Sequence, residues 1–426
     1  DLAESEAIGS LLLDRGALTV EQLDAAEDLA EDWNVSLVKV LLSRRWLTAH
    51  DLYREIAFYH GLTLVDLIED RADDDLIRQY DPVVMNQYMT VPIGRAEDGT
   101  LTVATSRPGP RTVLHIREVY GTGVTIVVAS HFDVSWQLQR AFREKHSHEA
   151  VFALAELDPD MSAQNVVTPP QILVIYLLVS ALLLGLAFAP VATLIVLNVF
   201  LTIFYTGNFL FKALLVWLGG AAQETSSRAI AAEASLLRDE DLPIYTVLVP
   251  MFREPEVLPI LAQALRNLDY PLAKLDIKIV LEEGDHETID AARKLDLEGV
   301  FEIIRVPASH PQTKPKACNF ALRYAQGDFL VIFDAEDKPE PDQLKKVIAA
   351  FNQSAPNTAC IQCRLNYYNA RENWLTRMFT LDYSLWFDLM LPGLERLGVP
   401  IPLGGTSNHF RMDVLRELKI SCDSAL

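Results

Sequence analysis

The sequence predicts an α/β protein in which a mostly parallel sheet between helices follows a transmembrane helical hairpin and an α+β module. Three observations predict this arrangement. From residue 241 onward, short apolar runs alternate with amphipathic segments, as in parallel sheets that are covered by helices. Two long runs without charge lie between residues 171 and 211, and a pattern of leucines repeats near the start of the chain.

Composition limits the class of protein. Of the 426 residues 50% are hydrophobic although the formal net charge is −21, so the apolar residues must be concentrated in one part of the chain. This length predicts more than one domain. The negative charge argues against binding to nucleic acid, and no nucleic-acid partner is predicted. The 4 cysteines are too few for a disulfide scaffold and indicate a reducing compartment.

The first module is predicted over residues 1–145 and opens with a tandem helical repeat. The pattern of residues 8–23 returns in residues 37–52, where Leu41 matches Leu12. Two helix pairs of this kind bury little apolar surface alone, so they need a companion layer. Four segments with strand-like patterns supply that layer: 61–66, 89–93, 101–105 and 124–129. The combination is an α+β module.

The following residues predict a linker and then two membrane spans. Residues 146–170 are charged and end in two prolines, which is typical of a linker. Residues 171–188 and 191–211 carry no charge, and each run can cross a hydrocarbon core of about 30 Å. Joined by so few residues, they predict a hairpin within residues 171–218, and two buried helices of a soluble core are the alternative. Residues 219–240 predict an amphipathic linker.

The two ends of a hairpin lie on the same side of a membrane. Basic residues flank the two apolar runs, with Arg140, Arg143 and Lys145 upstream and Lys212 and Arg228 downstream. Positive charges favour the cytoplasmic side. We therefore expect a protein of the bacterial inner membrane whose N-terminal module and last domain both lie on the cytoplasmic side.

The last domain is predicted over residues 241–426. Its strands are expected at 245–250, 277–281, 301–306 and 329–333. The carboxyl ends of parallel strands meet at one edge, where open sheets bind their ligands. Polar side chains follow all four strands: Glu254, Glu282, Glu283, Asp285, Lys314, Lys316, Asp334, Glu336 and Asp337. Acidic and basic groups together predict a nucleotide diphosphate with Mg²⁺ or Mn²⁺, and a solvated acidic turn is the alternative for the last three carboxylates.

Six motifs of this domain carry a family resemblance: VPMFRE, VLEEGD, KPKACNFAL, FDAEDKPEPDQL, IQCRLNYYN and GGTSNHF. In this order they resemble an inverting family 2 glycosyltransferase with a GT-A fold, of the membrane-embedded cellulose-synthase-like kind. The resemblance implies that Pro250 and Glu254 border the base and ribose of a nucleotide sugar. It also implies that either Glu282 or Glu283 contacts uridine.

The same resemblance assigns the charged groups at the diphosphate. Either Lys314 or Lys316 steadies the diphosphate, and Asp334 with Glu336 corresponds to the DxD pair that holds Mg²⁺ or Mn²⁺. A Glu in the second place departs from DxD, but its carboxylate is still a hard oxygen ligand. Asp337 is the alternative ligand, because the sequence does not separate it from Glu336.

The resemblance also implies an acceptor side, formed by a glycine-containing loop: Gly404, Gly405, Thr406, Ser407, Asn408 and His409. Trp386 either stacks on a sugar or belongs to an interfacial or core helix pair. His409 is either a base or a side chain that stabilises the loop through a hydrogen bond. The family's general base is an Asp in a TED-like motif, which does not follow GGTSNHF here. The base is therefore expected outside this chain, and no catalytic residue is assigned.

The two copies of the N-terminal repeat each keep part of a longer motif. The first copy has Ala7 at its start and then keeps Gly9, Leu12, Leu13, Gly16 and Leu18. The second copy has Ser36, Val38 and Arg45 at the positions that correspond to Ala7, Gly9 and Gly16. The module resembles the MshEN-like N-terminal domain of type II secretion and type IV pilus ATPases, some of which bind cyclic di-GMP through tandem RLGxxLVxxGLI motifs. Cyclic di-GMP is the partner that this resemblance implies. Both copies lack the Arg that would contact phosphate, and the second copy also lacks the two glycines that would let the backbone approach a ligand.

Together these features predict a membrane-bound inverting glycosyltransferase. It would move a hexose from a UDP-sugar to a growing glycan, in exopolysaccharide or glucan synthesis, with the N-terminal module as regulator and membrane lipid as a further partner. The alternative is a catalytically degenerate nucleotide-binding scaffold, or a cyclic di-GMP-responsive subunit of an envelope assembly. Metal-dependent binding of UDP discriminates between the transferase and a degenerate scaffold.

Overall fold

The computed structural model describes residues 2–68, 71–162, 166–220, 223–295 and 300–423. Residues 163–165 of the predicted linker, and residues 296–299 and 424–426 of the predicted last domain, lie outside the described residues. The chain divides into two compact units. The first unit comprises Asp1–Val151, Ala234–Ile361 and His409–Leu418, and the second comprises Phe152–Glu233, Gln362–Asn408 and Lys419–Leu426.

The N-terminal repeat forms two pairs of helices, as predicted: α1 (Leu2–Asp14), α2 (Val20–Trp33), α3 (Leu37–Ser43) and α4 (Ala49–Tyr59). The threonine in front of the second helix of each pair is its N-cap. Thr19 accepts a hydrogen bond from the backbone of Gln22, and Thr48 accepts one from the backbone of Asp51, so two free amide groups are satisfied. The matched leucines of the repeat are buried in, or packed against, one shared apolar core.

The rest of the module surrounds a three-stranded sheet, with these elements: α5 (Asp74–Ile77), α6 (Pro82–Tyr88), β1 (Thr90–Arg95), β2 (Leu101–Thr105), α7 (Pro110–Tyr120), β3 (Thr125–Val128), α8 (His131–Ala141) and α9 (Arg143–Leu157). Strand β1 is antiparallel to β2, which is parallel to β3. The strand predicted at 61–66 is wrong: only Leu64 forms a bridge, to Val128. Val128 is the last residue of β3, so the segment finds no further partner.

Helix α9 occupies residues where the sequence predicts the start of a linker. Its buried positions are His146, Ser147 and Ala150, which lie on one face of the helix. Two of these three buried residues are polar, so the sequence shows no apolar stripe at helical spacing here. The pattern therefore missed a packed helix.

Two long apolar helices follow in the second unit, α10 (Pro169–Phe188) and α11 (Pro190–Gly220), and then α12 (Gln223–Ala234). By length and composition both α10 and α11 are able to cross a membrane, and their most apolar stretches are not buried inside the protein. Helix α11 runs on beyond residue 211, where the second predicted span ends. The side chain of Thr193 lies against Gly185, which brings the two helices together near their junction.

The last domain alternates strands and helices as predicted: β4 (Tyr245–Met251), α13 (Leu258–Arg266), β5 (Leu275–Glu282), α14 (His286–Lys294), β6 (Phe301–Val306), α15 (Lys314–Leu322), β7 (Phe329–Ile332), α16 (Gln343–Gln353), β8 (Cys360–Gln362), α17 (Trp374–Ser384), α18 (Leu391–Leu397), β9 (Asn408–Arg411) and α19 (Met412–Asp423). A π-helical segment, Leu385–Met390, joins α17 to α18. The six strands have the order β6-β5-β4-β7-β9-β8. Strands β6, β5, β4 and β7 are parallel, so their carboxyl ends share one edge.

Within the second unit, α11 touches α18 and the π-helical segment through glycines. A Cβ atom on Gly219 would lie 1.9 Å from the carbonyl oxygen of Leu389, and one on Gly393 would lie 2.3 Å from that of Leu215. The backbones approach this closely because neither position has a side chain.

Candidate active site

The candidate donor site lies at the carboxyl edge of the four parallel strands. Strand β4 contains Pro250 and leads to Glu254, while β5 ends at Glu282. Helix α15 begins at Lys314 after β6, and Asp334 follows β7. All of these residues belong to the first unit. The predicted donor residues therefore surround one edge of one sheet.

Lys314 and Asp334 form an ion pair between neighbouring segments of this edge. Each side chain is about one-third exposed to solvent, at 34% and 33%. The carboxylate of Asp337 accepts a hydrogen bond from the backbone of Asp334 at 2.8 Å, and the Asp337 amide donates to the Asp334 carbonyl at 3.1 Å. Asp337 thus closes the turn that presents Asp334.

Glu336, between these two acids, is exposed, and no hydrogen bond or ion pair involves its carboxylate within the described part of the chain. The negative charge of Glu336 affects a neighbouring carboxylate. Burial first, and then repulsion by Glu336, Glu256, Asp334 and Asp285, raise the pKa of Glu254 above its ordinary value. The carboxylates after β4, β5 and β7 therefore form one acidic region.

A divalent cation would relieve that repulsion. Within the described residues no three His, Cys, Asp or Glu side chains form a ready-made metal cluster. Asp334 and the free carboxylate of Glu336 are oxygen ligands of the kind that Mg²⁺ and Mn²⁺ prefer, and Mg²⁺ is commonly held by one or two carboxylates together with substrate phosphates. These residues fit an ion that arrives with a diphosphate.

The two lysines of α15 have different environments. The ammonium group of Lys316 is buried and contacts the Glu282 carboxylate at 3.1 Å and the carbonyl oxygens of Pro307 and Ser309 at 3.3 Å. Lys314 instead reaches the exposed edge beside Asp334. Glu282 is likewise engaged inside the protein, while Glu283 is about half exposed and lies 3.7 Å from Arg143.

Asp285 is a structural residue of this edge that the sequence analysis left without a role. Its buried carboxylate accepts hydrogen bonds from the backbone of Arg253 at 2.5 Å and of Thr288 at 3.2 Å. It therefore joins the loop after β4, where Arg253 adopts a left-handed backbone (φ 58°), to the start of α14. An Asp just before a helix was the available signal.

The predicted acceptor loop lies in the second unit, apart from His409. Gln362 braces it, accepting a hydrogen bond from the Gly404 amide at 2.7 Å and donating one to the Thr406 carbonyl at 3.0 Å. Asn408 donates to the Gly404 carbonyl at 2.5 Å. Ser407 has a left-handed backbone (φ 53°) and its carbonyl accepts from Cys363.

The remaining predicted acceptor residues have three different environments. Gly405 is exposed and has open space where a side chain would be. Trp386 is half-buried in the π-helical segment. His409 belongs to the first unit and is fully buried. Its Nδ1 lies 2.7 Å from the Tyr245 hydroxyl and its Nε2 lies 3.1 Å from the Gln343 amide nitrogen, so both ring nitrogens have partners.

A separate cavity of about 620 Å³ lies in the first unit between the N-terminal module and the sheet of the last domain. Lys39 and Arg107 line it, and neither side chain has an ion-pair partner within the described residues. On the opposite wall, the carboxylates of Asp276 and Glu302 share the single ammonium group of Lys278. Burial lowers the pKa of both Lys39 and Arg107. The three lining cations, Lys39, Arg107 and Arg111, outnumber the one negative charge that remains on the Asp276–Lys278–Glu302 group, so the cavity has an excess of positive charge.

The parallel strands of this α/β domain and the charged edge beside them define a GT-A-like fold. Residues 246–417 match the family model described as Glycosyl transferase family 2, and residues 60–148 match that of the MshEN domain. The chain thus carries a family 2 glycosyltransferase domain and an MshEN domain, as the sequence motifs predict.

Two curated relatives illustrate the similarity. A beta-monoglucosyldiacylglycerol synthase of Trichormus variabilis is 28% identical over 160 residues, which is 37% of this chain and 34% of the relative. Glucomannan 4-beta-mannosyltransferase 2 of Arabidopsis thaliana is 30% identical over 157 residues, which is 34% of this chain and 29% of the relative. The chain spans about a third of the length of the curated relatives it matches.

Solved structures resemble the two domains separately. A mannosyltransferase from Pyrobaculum calidifontis, in complex with GDP-Man and Mn²⁺, has a TM-score of 0.33 and 20% identity, covering 49% of this chain and 58% of that chain. MshE with cdg (cyclic di-GMP) has a TM-score of 0.29 and 24% identity, covering 32% of this chain and 97% of that chain.

Proposed function

We propose that this protein is a membrane-bound inverting glycosyltransferase that transfers a hexose from a UDP-sugar to a growing glycan. The observation that carries the proposal is the partly exposed Lys314–Asp334 pair beside the unpaired carboxylate of Glu336. It stands at the carboxyl edge of a parallel sheet, where open α/β sheets bind nucleotides. The family 2 match over this domain supports the same reaction class.

The residues of the edge have complementary tasks in this proposal. Asp334 and Glu336 would hold Mg²⁺ or Mn²⁺, and the bound ion would stabilise negative charge on the leaving diphosphate. Lys314, which pairs with Asp334 in this structure, would contact the diphosphate from the same edge. Asp337 keeps the turn in place by its hydrogen bond to the Asp334 amide. Positive groups held next to the developing charge lower the barrier of the reaction.

The rest of the donor pocket is proposed from the resemblance. Pro250 and Glu254 border the base and ribose, Glu283 at the exposed rim contacts uridine, and buried Glu282 and Lys316 support it from inside. The acceptor side consists of the braced 404–409 loop with Trp386. The general base lies outside the assigned residues, so this chain accounts for donor binding and leaving-group stabilisation.

The direct test is metal-dependent binding of UDP, measured by calorimetry on the protein in detergent. Removing a residue that only hydrogen-bonds to a metal ligand lowers metal affinity about 10–100-fold. Asp334 is proposed as a ligand itself, so we expect Asp334→Asn to weaken UDP binding in Mn²⁺ by at least about tenfold. Glu340→Gln is the matched control, because this exposed acid of the following loop contacts Lys346 instead. The control should bind like the unaltered protein.

Two outcomes would contradict the proposal. If Asp334→Asn binds UDP as tightly as the control, Asp334 holds no metal. If the unaltered, folded protein binds no UDP with Mn²⁺ or Mg²⁺, the degenerate scaffold replaces the transferase.

A second candidate function concerns the N-terminal module, for which we infer an anionic regulator of the cyclic di-GMP type. The positive cavity beside the second repeat copy favours this, since Ser36 and Lys39 of that copy line it together with Arg107. Because the second copy lacks the Arg of the motif, Lys39 and Arg107 would have to supply the phosphate contacts there.

Titration of cyclic di-GMP onto the full chain tests this regulator. We expect Lys39→Ala and Arg107→Ala each to weaken binding by about tenfold, because a hydrogen bond to a charged group is worth about 1.5–3 kcal/mol. Arg117→Ala, on the same helix as cavity residue Arg111, is the control and should leave the affinity unchanged. The absence of heat with the unaltered protein would instead favour a module that docks another protein.

A further inference from the structure

We propose that helix α9 of the N-terminal module positions the donor site, with Ser147 as the positioning residue. The inference rests on the proposed function and adds a physical connection between the two domains. It starts from the contacts of Lys316, whose buried ammonium group lies against the carbonyl oxygens of Pro307 and Ser309. These carbonyls belong to the segment 307–313 that joins β6 to the lysine-bearing start of α15.

Helix α9 holds that segment directly. The Ser147 hydroxyl lies 2.7 Å from the Ser309 hydroxyl, although 162 residues separate them in the chain. Ser147 is buried, at 6% exposure, so water competes poorly for this hydrogen bond. A shift of Ser309 would move one of the three groups that hold Lys316. The segment is thus fixed from the N-terminal module.

The same helix also fastens the body of α15. Asn319 donates a hydrogen bond to the Ala150 carbonyl at 3.0 Å, and Arg323 forms an ion pair with Glu149. Ala150 packs in the apolar core that contains Phe320. Because Lys314 lies in the first turn of α15, these contacts set where its ammonium group meets Asp334.

A third contact reaches the rim of the predicted site. Arg143, at the start of α9, lies 3.7 Å from Glu283. Both side chains are about half exposed, so this pair contributes little energy. The pair matters because it places α9 next to Glu283, which directly follows β5. One helix of the N-terminal module therefore touches the groups after β5, the segment after β6 and α15.

The test compares Ser147→Ala with Ser147→Thr, which keeps a hydroxyl, in the full chain in detergent. A neutral hydrogen bond contributes about 1 kcal/mol, so we expect Ser147→Ala to weaken UDP binding in Mn²⁺ about fivefold. Ser147→Thr should restore the affinity to within about twofold by the same reasoning. Ser10→Ala is the control, since its hydroxyl contacts only its own helix, at the Glu6 carbonyl.

A double-mutant cycle and a ligand-free measurement separate positioning from general destabilisation. Ser147→Ala combined with Ser309→Ala should bind UDP like either single variant, because both remove the same hydrogen bond. Without ligand, amide hydrogen exchange of residues 307–313 should be faster in Ser147→Ala, while exchange in α1 to α4 should not change.

The outcomes distinguish this inference from the function on which it rests. Three results would overturn the positioning role: additive effects in the double-mutant cycle, unaltered hydrogen exchange at residues 307–313, or equal UDP affinity in Ser147→Ala and Ser10→Ala. In each case, UDP binding by the unaltered protein would still uphold the donor site. If the unaltered protein binds no UDP, the donor site is overturned, and the positioning role with it.

Discussion

His409 shows how a residue from a functional motif is committed to the fold. Its ring is fully buried between Tyr245 and Gln343, and burial lowers its pKa from 6.5 to about 3. The imidazole therefore stays neutral at physiological pH. These contacts support the loop-stabilising hydrogen bond, one of the two alternatives that the sequence left open, rather than an exposed base.

This depressed pKa predicts a pH dependence of stability. In the unfolded chain the imidazole takes up a proton below about pH 6.5, whereas in the folded protein it does so only near pH 3. Stability that is fully present above pH 6.5 is thus lost as the pH falls toward 3. Between pH 7 and pH 5 the loss from this residue is about 2 kcal/mol.

We expect His409→Gln to lower the apparent melting temperature at pH 7, because it disturbs a buried site. Between pH 7 and pH 5, the melting temperature of His409→Gln should decrease less than that of the unaltered protein. Scanning calorimetry in detergent measures both. Exposed His286→Gln is the control and should keep the full decrease. An equal decrease in all three proteins would show that His409 is not held neutral.

At the scale of elements, the sequence predicts best where apolar runs are long and bounded. Strands β4 to β7 were predicted to within a few residues because each is a continuous buried run. Segment 61–66 has a similar pattern but meets only the end of β3, and pairing depends on a partner that a local pattern does not reveal. Helix α9 was missed for the opposite reason, since its buried face contains His146 and Ser147.

The sequence predicts that charged side chains meet at one edge of the sheet, and the structure brings them together there. Which of the two lysines faces solvent was not predictable, because it depends on contacts that are far away in sequence. Lys316 is withdrawn by the Pro307 and Ser309 carbonyls, whereas Lys314 is left beside Asp334. Similarly, the sequence does not show that the Asp337 carboxylate binds the backbone of its own turn.

At the scale of the whole molecule, helices α10 and α11 bear on where the two domains work. Both are apolar enough to span a membrane, and each presents its apolar surface outward within the second unit. If both span, the chain enters and leaves on one side, and the N-terminal module and the transferase domain share a compartment. A donor site for a cytoplasmic UDP-sugar needs that compartment to be the cytoplasm.

Cysteine labelling tests this topology in a bacterial host, using a chain whose 4 native cysteines are replaced by alanine. Ala189 lies at the junction of α10 and α11, so we expect Ala189→Cys to react with a membrane-impermeant maleimide in spheroplasts. Glu97→Cys, at an exposed turn of the N-terminal module, should react only after the membrane is opened, as cytoplasmic placement requires. Labelling of Glu97→Cys from outside would invert the topology. If both positions react already in sealed spheroplasts, or if neither reacts until the membrane is opened, the two helices do not form a spanning hairpin.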